Sequence, residues 1–207
     1  MKENQKDIYY VSAKSKEEVK AMPQMDTFKK YGYDVLVLTD DVDEFLLKIL
    51  NKYQEHEFKS INQASLGDIV TEDEKKKIDE QAQTHKDLLE AIKNALDGEV
   101  KDVVISSRLV DSPVCLVSGD GVSFEMEKVI DAMPTSDKLK AERILEINPN
   151  HPLFASLTKI YEDTPDEIKD YAYLLYNQAL LMEGFHLKNS VEFSDLMLSL
   201  IHISEPT

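Results

Sequence analysis

Two consecutive amphipathic segments close the sequence, and together they carry more apolar surface than one helical hairpin can hide. Thr164-Pro-Asp-Glu167 combines an N-cap residue, a proline suited to the first helical position and the glutamate of a capping box. Ile168, Tyr171, Leu175 and Met182 then mark one helical face, widened by Leu174, Ala179 and Leu181, and Gly184 is the expected stop. Asn189 or Ser190 caps a second helix bearing Phe193, Leu196, Met197, Leu200 and Ile201. Such faces must be covered, either by the rest of their own domain or by a second copy in a four-helix bundle. The pattern alone leaves both solutions open.

The first sixty residues follow a different rhythm. Ile8-Tyr-Tyr-Val-Ser12 reads as a strand, and Ser15-Lys-Glu-Glu18 as a capping box that opens a short helix with Val19 and Met22 on its apolar side. Pro23 should end it, and a second helical piece from Asp26 to Tyr31 should stop at Gly32. Tyr33-Asp-Val-Leu-Val-Leu38 holds four apolar residues in a row, as expected of a strand covered on both faces. Asp40-Asp-Val-Asp-Glu44 leads into Phe45, Leu46, Ile49 and Leu50 at helical spacing. Strand, helices, strand and helix predict a small α/β unit with a parallel pair. Residues 54–70 read as polar and irregular, which divides the chain into an α/β segment (1–60), a linker (61–70), a second domain (71–201) and a frayed or vector-derived tail (202–207).

In the second domain Thr71-Glu-Asp-Glu74 is another capping box. Ile78, Ala82, His85, Leu89, Ile92 and Leu96 continue on one stripe to Gly98, which predicts one helix about 40 Å long. Val103–Arg108 and Val114–Ser118 read as neighbouring antiparallel strands across a five-residue loop, with Pro113 at the start of the second. Ser123 caps a helix carrying Met126, Val129, Ile130 and Met133; Glu142–Ile147 is a third strand, and a helix covers Leu153–Tyr161. The predicted class is therefore α/β followed by α+β, with a three-stranded sheet and a C-terminal helical hairpin.

Composition narrows the function. Forty acidic residues against 24 basic ones give a net charge of −16, so there is no basic face to bind nucleic acid. Six glycines in 207 residues argue against a glycine-threaded cofactor loop. The lone Cys115 excludes an internal disulfide and a cysteine zinc cluster, and its apolar neighbours make it a small buried hydrophobe. No membrane-length apolar stretch and no signal peptide are evident, which suits a reducing cytoplasm. Asp40, Asp41 and Asp43 could hold magnesium in a small metal-dependent enzyme, or simply complement a helix N-terminus. The five histidines share no ligand spacing, and no catalytic, cofactor or metal residue is assigned. Val122, Met126, Val129, Ile130 and Met133 form a methionine-containing stripe that is either ordinary core or an adaptable binding surface.

Several stretches occur together in one order: Ile8-Tyr-Tyr, Lys30-Tyr-Gly-Tyr-Asp-Val-Leu-Val-Leu-Thr-Asp40, Val42-Asp-Glu44, Ser107-Arg-Leu-Val-Asp-Ser-Pro113, Leu145-Glu-Ile-Asn-Pro-Asn-His-Pro-Leu153 and Tyr176-Asn-Gln-Ala-Leu-Leu181 with Glu183-Gly184. Over residues 7–201 they resemble the C-terminal part of the ninety-kilodalton heat-shock chaperone family, in its bacterial branch. The resemblance implies that the first sixty residues end a middle domain and that a dimerisation domain follows. It implies a homodimer held by Ile168, Tyr171, Leu175, Met182, Phe193, Leu196, Met197 and Leu200. Non-native client proteins would meet Phe45, Val122, Met126, Val129 and Ile130, and other chaperones would be further partners. The family's ATP and magnesium belong to an N-terminal domain upstream of Met1, so the resemblance makes this chain no enzyme and leaves it without a cofactor. No Glu-Glu-Val-Asp tail for tetratricopeptide partners is present, and neither nucleic acid nor membrane is implied.

Overall fold

The computed structural model describes residues 5–63, 69–134 and 139–203, with only the backbone described for Asp41 and residues 201–203. Two small mixed sheets organise it. In the first, β1 (Ile8–Ser12) lies between β2 (Val35–Leu38) and β4 (His56–Ser60), parallel to both, and the short β3 (Lys52–Tyr53) pairs antiparallel with β4. The expected parallel pair is β1 with β2, in register Tyr9 to Val35 and Val11 to Val37. The central strand is the buried one: Tyr9, Tyr10 and Val11 are all hidden. β2, expected to be covered on both faces, is instead an edge strand with Leu36 48% exposed. A run of apolar residues in a strand of four cannot distinguish an edge from a centre.

The residues between β1 and β2 form α1 (Lys16–Ala21) and α2 (Met25–Tyr31), which bury Val19, Met22 and Phe28 against Tyr9 and Val11. Ser15 Oγ accepts the Glu18 amide as a cap, but the Glu18 carboxylate accepts from the Lys14 amide rather than closing on Ser15. Gly32 takes the left-handed conformation (φ 65°) that ends α2 and turns the chain into β2. Phe28 is fully buried, edge-on to Tyr9 at 4.9 Å, and such burial contributes about 2–3 kcal/mol. α3 (Asp41–Leu50) follows β2, and the hairpin β3–β4 occupies part of the stretch expected to be irregular. Its strands are polar and short, so they carry no apolar alternation to read.

The second sheet has the order β5 (Asp102–Ile105), β7 (Arg143–Ile147), β6 (Val114–Ser118), with β7 parallel to β5 and antiparallel to β6. β5 and β6 are therefore not neighbours, contrary to the hairpin expected from their five-residue connection. The loop is held open instead: Asn148 Nδ2, just past the end of β7, donates to Val110 O and Ser112 O at 3.0 Å each. That leaves a slot for β7, which arrives some way further along the chain.

The long helix expected after Thr71 is two helices, α4 (Glu72–Thr84) and α5 (Lys86–Ala95), meeting at His85. The Thr71–Glu74 capping box forms in full. Hydrogen bonds continue across the joint, His85 N to Gln81 O and Leu89 N to His85 O, so the break is a bend, made where the His85 ring stands edge-on to Phe154 at 4.8 Å. Only α5 has buried residues, Leu88, Leu89 and Ile92; α4 has none and remains largely solvated. α6 (Phe124–Ala132), α7 (Pro152–Asp163), α8 (Ile168–Met182) and α9 (Ser190–Ile203) complete the unit. Pro165–Glu167 is a 3-10 turn, and Thr164 donates its hydroxyl to Ile160 O, so the capping box expected there does not form. α9 runs two residues past Ile201, while residues 204–207 of the expected tail lie outside the described residues.

Candidate functional site

The carboxyl ends of β1 and β2 open onto a cleft of about 450 Å³. Ser12, Ala13 and Lys14 continue β1 along its wall, and Leu38, Thr39 and Asp40 continue β2. α3 adds Glu44 and Phe45; α6 adds Met126, Val129 and Ala132; the turn after α8 adds Phe185 and His186. Carboxyl ends of parallel strands are where α/β folds collect ligands, because the following loops diverge there. The cleft thus lies between the first sheet's unit and the helices of the second.

Local chemistry sets each wall. Ser123 caps α6 by accepting the Met126 amide at 3.2 Å, and Phe124 and Glu127 are buried on the inner side, leaving Met126 and Val129 half-exposed. Glu127 anchors that inner side through Arg143 (2.7 Å) and the Ala141 amide (2.8 Å). Gly184, at φ 78°, ends α8 with Phe185 N bonded to Leu180 O, and so returns Phe185 to the cleft. The Phe185 ring stands edge-on to Phe124 at 5.5 Å beneath the guanidinium of Arg143 at 4.8 Å. On α3, Lys48 reaches across to Gly121 O at 2.6 Å and ties the helix to the turn before α6.

Glu44 is only 3% exposed, although its side chain lines the cleft. Burial pushes its carboxyl above the usual carboxylate range, opposed by the Ser123 hydroxyl and by the Lys48 charge. Tyr10 is pushed up to about 12, first by burial and then by the Glu44 charge. Phe45, Met126 and Val129, expected as client contacts from separate parts of the sequence, share the lining of this one cleft. Val122 instead leans on the core of the second unit, and Ile130 is half-buried on α6 outside the lining. Beyond the cleft α3 exposes Val42, Leu46, Ile49 and Leu50, a continuous apolar ridge with Ile49 83% exposed.

The C-terminal hairpin divides in two. Ile168 and Leu175 lie in the core of their own chain with Ala172, Tyr176 and Ala179, so they offer no surface to another molecule. Tyr171 packs partly against that core. Met182 and Met197 are exposed, and Phe193, Leu196 and Leu200 are half-exposed, joined by the exposed Leu181, Val191 and Leu198. Asn189, not Ser190, caps α9, its Oδ1 accepting the Glu192 amide. Among the described residues no three His, Cys, Asp or Glu side chains gather as a metal site. Asp40 makes no side-chain cap on α3 and points to the cleft wall. No described helix is long and apolar enough to cross a membrane.

Residues 1–205 match the family described as Hsp90 protein. The chain belongs to the Hsp90 family. Curated relatives called "Chaperone protein HtpG" agree: that of Clostridium acetobutylicum is 47% identical over 201 residues, covering 97% of this chain and 32% of the relative. The Shouchella clausii protein is 48% identical over 197 residues (95% and 31%), and the Bacillus subtilis protein 45% over 195 (94% and 31%). The chain spans about a third of the length of these relatives. It is a piece of the heat-shock chaperone family in sequence, as the ordered motifs implied.

Two buried polar centres in this Hsp90 chain escaped sequence reasoning. Arg108, 1% exposed, forms a two-pronged pair with Glu146 (Nε to Oε2 3.0 Å, Nη2 to Oε1 2.9 Å) and donates to Ile61 O and Gln63 O. Gln24 Nε2 donates to Leu116 O at 2.9 Å and to the buried Glu183 carboxyl. Burial pushes that carboxyl up to about 7. The available signal was a charge inside an apolar strand, Glu146 between Leu145 and Ile147, which requires a partner. Cys115 is buried as expected, and burial raises its thiol well above the ordinary value.

Proposed function

We propose that this part of an Hsp90-type chaperone holds non-native proteins along the cleft between α3 and α6 and joins two protomers through α9 and the end of α8. One observation carries the reading. Phe45, Met126 and Val129 come from two units that fold around separate sheets, yet they converge on one cleft, and the helix that supplies Phe45 also exposes Val42, Leu46, Ile49 and Leu50. Apolar side chains of this kind, methionine included, make contacts of modest strength that suit varied partners and permit release. The exposed Met182, Met197 and Leu198 support the dimer, because a hairpin whose outer face stays apolar is stabilised by a second copy. ATP binding and hydrolysis, in the whole chaperone, would then drive closure of two protomers already held at high effective concentration.

The test is suppression of aggregation. Met126→Ser with Val129→Ser should weaken the chain's protection of a denatured reporter protein without changing its circular dichroism. Undiminished protection would place client contact elsewhere. Light scattering of the purified chain should give twice the 23.6 kDa of one protomer at micromolar concentration. A single-protomer mass would overturn the dimer.

A further inference from the structure

The cleft is not uniformly apolar, and its charge is one-sided. Its lining holds four carboxylates, Asp40, Glu44, Glu125 and Asp131, against two lysines, Lys14 and Lys128. Lys128 is taken by Glu125 at 2.6 Å. Lys48, the next cation along α3, is held on Gly121 O. Glu44 is thereby a carboxyl nearly removed from water on which no lysine or arginine among the described residues closes. The hydroxyls of Ser123 and of Ser12, the latter also in the lining, are the neutral groups that face it. Two hydroxyls and the charge of a lysine bonded elsewhere offset the burial of this carboxyl only in part, so a charged donor arriving in the cleft would stabilise it further. An ammonium or guanidinium can donate to the Glu44 carboxylate and to Ser12 Oγ, while its aliphatic stem lies along the same apolar wall. The volume admits a few side chains rather than a folded surface, so the occupant is an extended segment.

We propose that the cleft selects segments in which a lysine or arginine neighbours a bulky apolar residue, the cation meeting Glu44 and Ser12 Oγ and the apolar group resting on Phe45 and Met126. This rests on the reading of the cleft as a client site and adds a chemical preference to it. Acidic segments are turned away by Asp40 and Glu44 and by the net charge of −16.

Fluorescence anisotropy with three labelled peptides tests it: one containing Phe, Leu and Lys, one with each Lys replaced by Gln, and one with each replaced by Glu. On the unaltered chain the Lys peptide should bind at least about fivefold more tightly than the Gln peptide, and the Glu peptide most weakly. Glu44→Gln should bring the affinities of the Lys and Gln peptides within about twofold of each other. Asp40→Asn, on the exposed rim, should narrow the gap in part. Should E44Q fail to fold, salt decides, since raising it from about 0.05 to 0.5 M should shrink the Lys preference of the unaltered chain. Equal binding of the Lys and Gln peptides, or a preference that survives E44Q or is untouched by salt, overturns the proposal. Phe45→Ser separates the two readings. If F45S changes the binding of no peptide, the cleft is not the client site; if it weakens all three while charge makes no difference, only the cationic preference fails.

Discussion

At pH 8 replacing Glu183 by glutamine should make the fold more stable, although it deletes a buried charged hydrogen bond. The Glu183 carboxyl titrates near 7 in the fold, against 4.5 for an ordinary glutamate, first because burial disfavours its charge. Gln24 and the charges of Lys128 and Arg108 offset only part of that. The separation of the two values corresponds to about 3 kcal/mol of destabilisation when the folded carboxyl is ionised. The sign follows from proton counts. Between pH 4.5 and 7 the folded chain holds a proton that the unfolded chain has released, so stability falls as pH rises through this window and levels off above it. Glutamine does not titrate, keeps an acceptor for Gln24 Nε2, and forfeits about 1 kcal/mol of charge assistance. The net gain at pH 8 is about 2 kcal/mol, which for a chain of this size raises Tm by about 4–8 °C. Thermal melts of both proteins from pH 5 to 8 would show it, because every other titrating group cancels in the difference. The two should coincide near pH 5 and diverge towards pH 8. Parallel curves, or a variant less stable than its parent at pH 8, would refute the claim that Glu183 is held against its charge.

Arg108→Met should destabilise by about 3–5 kcal/mol in urea titrations by leaving Glu146 buried and unpaired, and R108M with Glu146→Leu should recover much of that loss. Cys115 should stay unreactive to a thiol reagent at pH 8 until denaturant is added, since its thiolate is disfavoured first by burial. Met197→Glu, on the exposed side of α9, should convert a dimer to a monomer in light scattering without lowering the helix content. Thr71→Ala should cost about 1 kcal/mol by removing the cap of α4, and the same change at Thr164, whose hydroxyl makes no cap, should cost less.

Where local chemistry decides an element, the sequence was enough. Ser123 and Thr71 cap the helices they precede, and Gly32 and Gly184 stop the helices they follow, because each needs only neighbours a few residues away. Adjacency was not legible in the same way. β7 lies between β5 and β6, and the loop joining those two strands is bonded to Asn148 just past β7, an interaction spanning more than thirty residues. The break at His85 coincides with a ring contact to Phe154, about seventy residues later, and no periodicity in 71–97 records it. The cleft shows both limits at once. Phe45, Met126 and Val129 were visible as apolar positions on their helices, whereas Glu44 looked like one more acid in a helix-opening run until its burial was seen.

The short stretch Ile61–Gln63 does more than connect two units. Asn62 O accepts the Ser118 amide at 2.7 Å, Gln63 bridges to Ser118, and Gln24 takes Leu116 O, so outward-facing main-chain groups of β6 are already engaged. An open strand edge is a template for self-association. Removing residues 1–63 to study the second unit alone would bare that edge, and it would also strip the buried Arg108 guanidinium of two carbonyl acceptors. The seam between the units is thus the second sheet's own border, and a truncated second unit should be sticky for reasons unrelated to client capture.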